Sequence, residues 1–144
     1  MTVFIDTAVL MYAGGRDHPL CEPCRDLLRQ VEAGRLDAVI SAEVVQEIFH
    51  RFVAMRRTEL GAEMARDALD LFAPVLAITH AVVQRMPGLA ARYPDLAARD
   101  LVHVATCAEE GVGAIVSPDR AFDRVEGLAR FAPGDTAALS AHLH

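Results

Sequence analysis

Five carboxylates stand out by where they fall along the chain. Asp6 closes the apolar run "TVFID", which reads as a buried strand. An unpartnered carboxylate is costly in such a place. Asp119 follows a second apolar run, "AIVS", by two residues, and Asp100 opens the helical stretch "RDLVHVATCAEEGV". Glu47 lies two turns into the helical stretch "AEVVQEIFHRFVAMR". Asp123 is four residues beyond Asp119 and shares its face if that turn is helical. Carboxylates brought together repel and raise one another's pKa values. A hard divalent cation relieves that repulsion, and Mg²⁺ and Mn²⁺ prefer oxygen ligands. Asp6 is therefore expected to be a metal ligand at a sheet edge. Each acid also has a plainer reading. Asp6 could cap the following turn, Glu47 could lie on a solvated helix face, and Asp100 could be a first-turn acid favoured by the helix dipole. Asp119 could be an ordinary turn residue. Glu43, one turn before Glu47, is a rival ligand. Joint placement carries more weight than any one residue.

The elements that must bring these acids together follow from the hydrophobic pattern. "VFID" predicts a first strand, and Leu20, Cys24, Leu27, Leu28 and Val31 form one helical stripe between about Pro19 and Ala33. "DAVIS" predicts a second strand, with Ser41 as N-cap of the next helix. "ELGAEMARDALDLF" predicts a further helix, "VLAIT" a third strand, and Thr79 a cap for a short helix. "MPGLAARYPDLAA", with two Pro and a Gly, predicts a loop. The helix opened by Asp100 should stop at Gly111–Gly113, before the strand "AIVS" and the turn "PDRAFDRV". "LARFAP" reads as a last edge strand and "DTAALSAHL" as a last helix. Strands separated by helices imply an α/β fold with parallel strands covered by helices. Sites in such sheets gather at the carboxyl ends of the strands. The apolar "FVAMRR" and "LDLF" stretches read first as core, and second as a partner surface.

Composition sets the bounds. With 144 residues and 53% apolar content, one domain over 1–144 with a sizeable core is expected. No apolar stretch reaches the roughly 20 residues of a membrane span. The N-terminus shows no signal-peptide pattern. A cytoplasmic protein with Cys21, Cys24 and Cys107 reduced is the expectation. "CEPC" lacks a second ligand pair for zinc and does not follow a strand, so it reads as two incidental helix cysteines. The net charge of −6 argues against a simple basic nucleic-acid binder. Removing the five acids above leaves fifteen acidic residues against fourteen basic ones, all Arg.

Other chemistries fit less well. "EIFH" and "DLVH" pair Glu47 with His50 and Asp100 with His103 at i,i+3, as in di-iron bundles. Such bundles need four long helices, and here strands interrupt them. His50 and His103 then take mostly packing or surface roles. A dehalogenase-like phosphotransferase would want a second Asp where Ala8 stands, and a receiver domain would want a Lys.

"VFIDTAVLMYA", "ISAEVVQEIFHRF" and "AARDLVHVATCAEEGVGAIVSPDRAFDRVEGL" occur in the order found in PIN-domain nucleases, and most closely resemble VapC-type toxins of toxin–antitoxin pairs. The resemblance covers nearly the whole chain. It implies a three-layer α/β/α PIN fold around a mostly parallel sheet of four to five strands. It implies Mg²⁺- or Mn²⁺-dependent endonucleolytic cleavage of RNA. It carries the acidic metal site onto Asp6, Glu47, Asp100 and Asp119, a fifth acid onto Asp123, and supporting hydroxyls onto Thr7 and Ser117. It implies a homodimer and a cognate antitoxin; no membrane partner is expected, since no apolar stretch is long enough to span a bilayer. Ser117 and Cys107 lack a base–orienter pair, so a metal-activated water is the expected attacker. Arg120 and Arg124 flank the acids and are candidate RNA contacts. The competing reading is a catalytically silent PIN fold kept for protein binding.

Overall fold

The computed structural model describes residues 1–144. Four short strands form one parallel sheet: β1 (Val3–Ile5), β2 (Ala38–Val39), β3 (Ala114–Val116) and β4 (Ala129–Phe131), in the order β2-β1-β3-β4. Every residue of β1 and β3 is buried. These central strands are covered on both faces, which explains why they read as continuous apolar runs instead of alternating ones. Phe4 pairs with Val39 on one side and Ile115 on the other, and Val116 pairs with Phe131.

Eight helices surround the sheet: α1 (Thr7–Ala13), α2 (Cys21–Glu32), α3 (Ala42–Ala54), α4 (Thr58–Leu71), α5 (His80–Gln84), α6 (Met86–Arg92), α7 (Ala98–Glu110) and α8 (Thr136–Leu143). α2 buries Cys21, Cys24 and Leu27, on the expected stripe. α7 ends on Gly111, whose φ of +69° is the left-handed turn glycine takes without strain. α3 and α4 pack closely at Gly61, where a Cβ would lie 2.7 Å from Phe52 Cβ. Thr79 caps α5 by accepting from Val82 N–H at 3.2 Å.

Several local expectations change. Helix α1 starts directly after β1, where no helix was predicted. "VLAIT" forms no strand and contributes one parallel bridge, Ser41 to Leu76. Its neighbour β2 is only two residues long, and Ser41 already leads into α3, so little backbone is left to pair with. Ser41 sits at the N-cap position but its hydroxyl makes no cap bond. The loop expected in "MPGLAARYPDLAA" contains α6, with Pro87 in the first turn, where a missing N–H costs nothing. The two apolar helix stretches are divided. Phe52 and Phe72 are buried, whereas Val53, Met55 and Leu69 are exposed.

Candidate metal centre

Parallel order places the carboxyl ends of β1 and β3 side by side, and the first acid emerges there. Asp6 occupies the N-cap position of α1, yet its side chain makes no cap bond. Its Oδ2 instead accepts a 2.6 Å hydrogen bond from Ser117 Oγ, at the end of β3. Ser117 Oγ in turn accepts from Asp119 N–H at 3.0 Å, and Asp119 Oδ1 accepts from Ala121 N–H at 2.9 Å. One buried hydroxyl therefore ties Asp6 to the turn that presents Asp119. Asp100, in the first turn of α7, and Glu47, on α3, reach the same place.

Asp6, Thr7, Glu47, Asp100 and Asp119 all line one cleft of about 650 Å³. Its charged lining comprises five acids (these four and Asp17) and three arginines (Arg16, Arg51 and Arg99). Burial pushes the Asp6 carboxyl above its ordinary range, with Glu47 adding to it and His103 and Ser117 opposing. Asp100 is pushed up to about 6, first by burial and then by the charge of Asp6. Asp119 adds to that rise, so its charge reaches Asp100. The excess of acids over arginines, and the rise in two carboxyl pKa values, are what a divalent cation would relieve. Donor chemistry fits a hard cation: carboxylates come from three helices' starts or faces and a strand-end turn, and Thr7 Oγ1 and Glu47 Oε1 are buried without a hydrogen-bond partner.

Of the two rival glutamates, Glu47 lines the cleft. Glu43 does not, and burial and the charge of Glu47 push its carboxyl up. Asp123 is not brought in. Both its oxygens face Arg130, at 2.7 Å from Nε and 3.2 Å from Nη2, and this pair holds its pKa down. Arg130 Nη1 also donates to the Ser117 carbonyl at 2.9 Å, so Asp123 braces the strand end that carries Ser117. Arg120 and Arg124 do not line the cleft, and Arg124 pairs with Asp95 at 2.5 Å. His50 is exposed, and no four-helix bundle exists to hold two irons.

Sequence reasoning gave His103 a packing or surface role beside the acids, and missed the three cleft arginines. His103 is fully buried, with Nε2 2.7 Å from Glu47 Oε1 and 3.6 Å from Asp6 Oδ1. Burial alone would depress its pKa, but Glu47 and Asp6 outweigh that and raise it. Single ligand atoms of Asp6, Asp100 and His103 lie within 4.8 Å of one another. Helical spacing held part of this signal. His103 follows Asp100 by three residues and Arg51 follows Glu47 by four, so each pair shares a face. Arg16 lies between elements, where no periodicity applies.

Known proteins similar to this chain bear on its family and fold. The PIN domain family profile matches residues 3–128. Ribonuclease VapC13 of Mycobacterium tuberculosis is 35% identical over 131 residues, covering 90% of this chain and 99% of that protein. Ribonuclease VapC7 of the same organism is 32% identical over 142 residues, covering 96% of each chain. Among solved structures, VapBC2 from Rickettsia felis bound to a promoter DNA fragment matches with TM-score 0.73 at 15% identity, covering 92% of this chain and 98% of that one. FitAcB from Neisseria gonorrhoeae matches with TM-score 0.70 at 22% identity, covering 94% and 99%.

Proposed function

Since this chain belongs to the VapC branch of the PIN-domain family, we propose that it is a divalent-metal-dependent endoribonuclease acting as the toxin of a toxin–antitoxin pair. The observation that carries this reading is the single cleft shared by Asp6, Glu47, Asp100 and Asp119. Asp6, Asp100 and Asp119 hold the cation, Mg²⁺ or Mn²⁺, and Glu47 completes the set or positions the attacking water. When bound, such a cation lowers the pKa of a water and offsets charge developing on the phosphate. Ser117 orients Asp6 and the Asp119 turn at once, so neither acid must be ordered when substrate arrives. Arg16, Arg51 and Arg99 on the rim meet the RNA backbone, in place of Arg120 and Arg124. Asp123 is left out of the ligand set because Arg130 occupies both its oxygens.

One PIN-like domain over 1–144, in the cytoplasm, is the organisation that goes with this function. Three free buried cysteines suit a reducing compartment, and no helix is long and apolar enough to cross a membrane. The antitoxin, or a second copy of the chain, has surface available. A groove of about 1480 Å³ runs between α2 and α4 past the half-exposed Met55 and Leu60. The test is cleavage of RNA with added Mg²⁺ or Mn²⁺, with Asp6→Asn and Asp100→Asn as controls. Cleavage should need the ion and fail in both variants. Equal cleavage in excess EDTA would refute the mechanism.

A further inference from the structure

Beneath the cleft floor lies a polar group that no step above uses. His103 is fully buried, one turn along α7 from Asp100, with its ring 5.2 Å from that of Phe4. Water does not reach it, and an aliphatic side chain would fill the space without burying two ring nitrogens. Nδ1 has no partner at all. Nε2 faces two of the acids already described, Glu47 Oε1 at 2.7 Å and Asp6 Oδ1 at 3.6 Å. The nearer contact is close but not aligned as a hydrogen bond. A glutamate's terminal torsion is soft, so aligning it costs little.

Glu47 has few other restraints. Its only other cationic contact is Arg99 Nε at 3.8 Å, and that arginine is more than half exposed. Such a pair is too weak to fix a flexible side chain. Arg51 also lines the cleft and offers a competing partner. Without a buried anchor, Glu47 would be drawn toward the rim arginines and away from the other acids.

We propose that His103 is the positioning residue of the cation site: its Nε2 edge pins the Glu47 carboxylate against the cleft floor and thereby makes Glu47 part of the ion-binding set. Only an N–H at Nε2 is required, which a neutral tautomer supplies as well as a charged ring. The inference rests on the reading that the cleft binds a divalent cation. It goes beyond that reading by giving the set of acids an internal, non-ligating organiser on the helix that also carries Asp100.

The test is a double-mutant cycle read by calorimetric titration with Mn²⁺, which needs no turnover. Glu47→Gln should weaken Mn²⁺ binding about tenfold or more with His103 present, at least the cost of losing an orienting partner. With His103→Leu it should change binding less than about twofold, because Glu47 is already displaced. His103→Gln, which keeps a side-chain amide N–H at similar reach, should preserve most of the sensitivity to Glu47→Gln. An equal loss from Glu47→Gln in both backgrounds overturns the inference. If the Leu variant does not fold, His103→Asn replaces it; the shorter amide should lose what Gln keeps, and equal behaviour of the two again overturns it. Asp6→Asn separates the two levels of the argument. If it abolishes Mn²⁺ binding while Glu47 acts independently of His103, only the positioning role falls; if it leaves binding unchanged, the cation site falls and takes this role with it.

Discussion

Replacing Asp100 by Asn should make the ion-free protein more stable, and the ion-loaded protein relatively less so. Asp100 is pushed from an ordinary 3.8 up to about 6, by burial first and by Asp6 next. At about 1.4 kcal/mol per pKa unit, ionising it in the fold costs about 3 kcal/mol as a ceiling. The cleft is open to solvent, and screening brings that to roughly 1–2 kcal/mol. A raised carboxyl pKa favours the protonated form in the fold. The stability it contributes is full below 3.8 and is lost as pH rises through about 6. Asn carries no charge to lose. Asp100→Asn should therefore match wild type near pH 3 and exceed it by roughly 1–2 kcal/mol at about pH 8 in EDTA. In a chain of this size that is about 3–8 °C in Tm. Mn²⁺ at about a hundredfold over its Kd should then add about 2.7 kcal/mol to wild type and far less to the variant. Thermal or urea melts of wild type and variant at both pH values, each with EDTA and with Mn²⁺, give the comparison needed. A variant less stable than wild type in EDTA at about pH 8, or one equally stabilised by Mn²⁺, would refute the reasoning.

Four further outcomes follow from the same geometry. Asp123→Asn should change Mn²⁺ affinity less than about threefold in calorimetry, whereas Asp119→Asn should cost about tenfold or more, because Arg130 holds Asp123 away from the cleft. Arg51→Ala and Arg99→Ala should each weaken RNA binding and lower its salt slope by about one, while Arg124→Ala should do neither, since Arg124 is paired with Asp95 off the cleft. Gly61→Ala should lower stability in urea melts by roughly 1–3 kcal/mol, because the new Cβ meets Phe52 Cβ and helix propensity gains less than that. Burial pushes the Cys24 thiol up to about 11 and that of Cys107 to about 12, so neither should react with an aromatic disulfide reagent at mildly alkaline pH until the chain unfolds.

Much of the fold was readable along the chain. The apolar runs ending at Asp6 and Ser117 are the two central strands, and their continuous hydrophobicity marks them as covered on both faces. Asp100 and Glu47 stand on strongly patterned helices, so their place in the element order was legible. Errors fell where local pattern is weak. "VLAIT" has strand composition, but it lies at the sheet's edge beside a two-residue partner. Proline in "MPGLAARYPDLAA" signalled a break and turned out to start a helix.

What the chain alone determined is the supply of chemistry: which acids lie at strand ends and helix starts, and hence the expectation of a negatively charged edge that a divalent cation would relieve. What only the tertiary structure decided is how each side chain is used. Asp119 and Asp123 share a short segment, but β4 pairs beside β3 and brings Arg130 to claim Asp123 while leaving Asp119 at the cleft. His103 looks the same in sequence whether it faces solvent or Glu47. The physical reason is that periodicity records neighbours one or two turns away along the same helix, whereas these partners meet across strands and helices far apart in sequence, through a register and packing that no local pattern encodes.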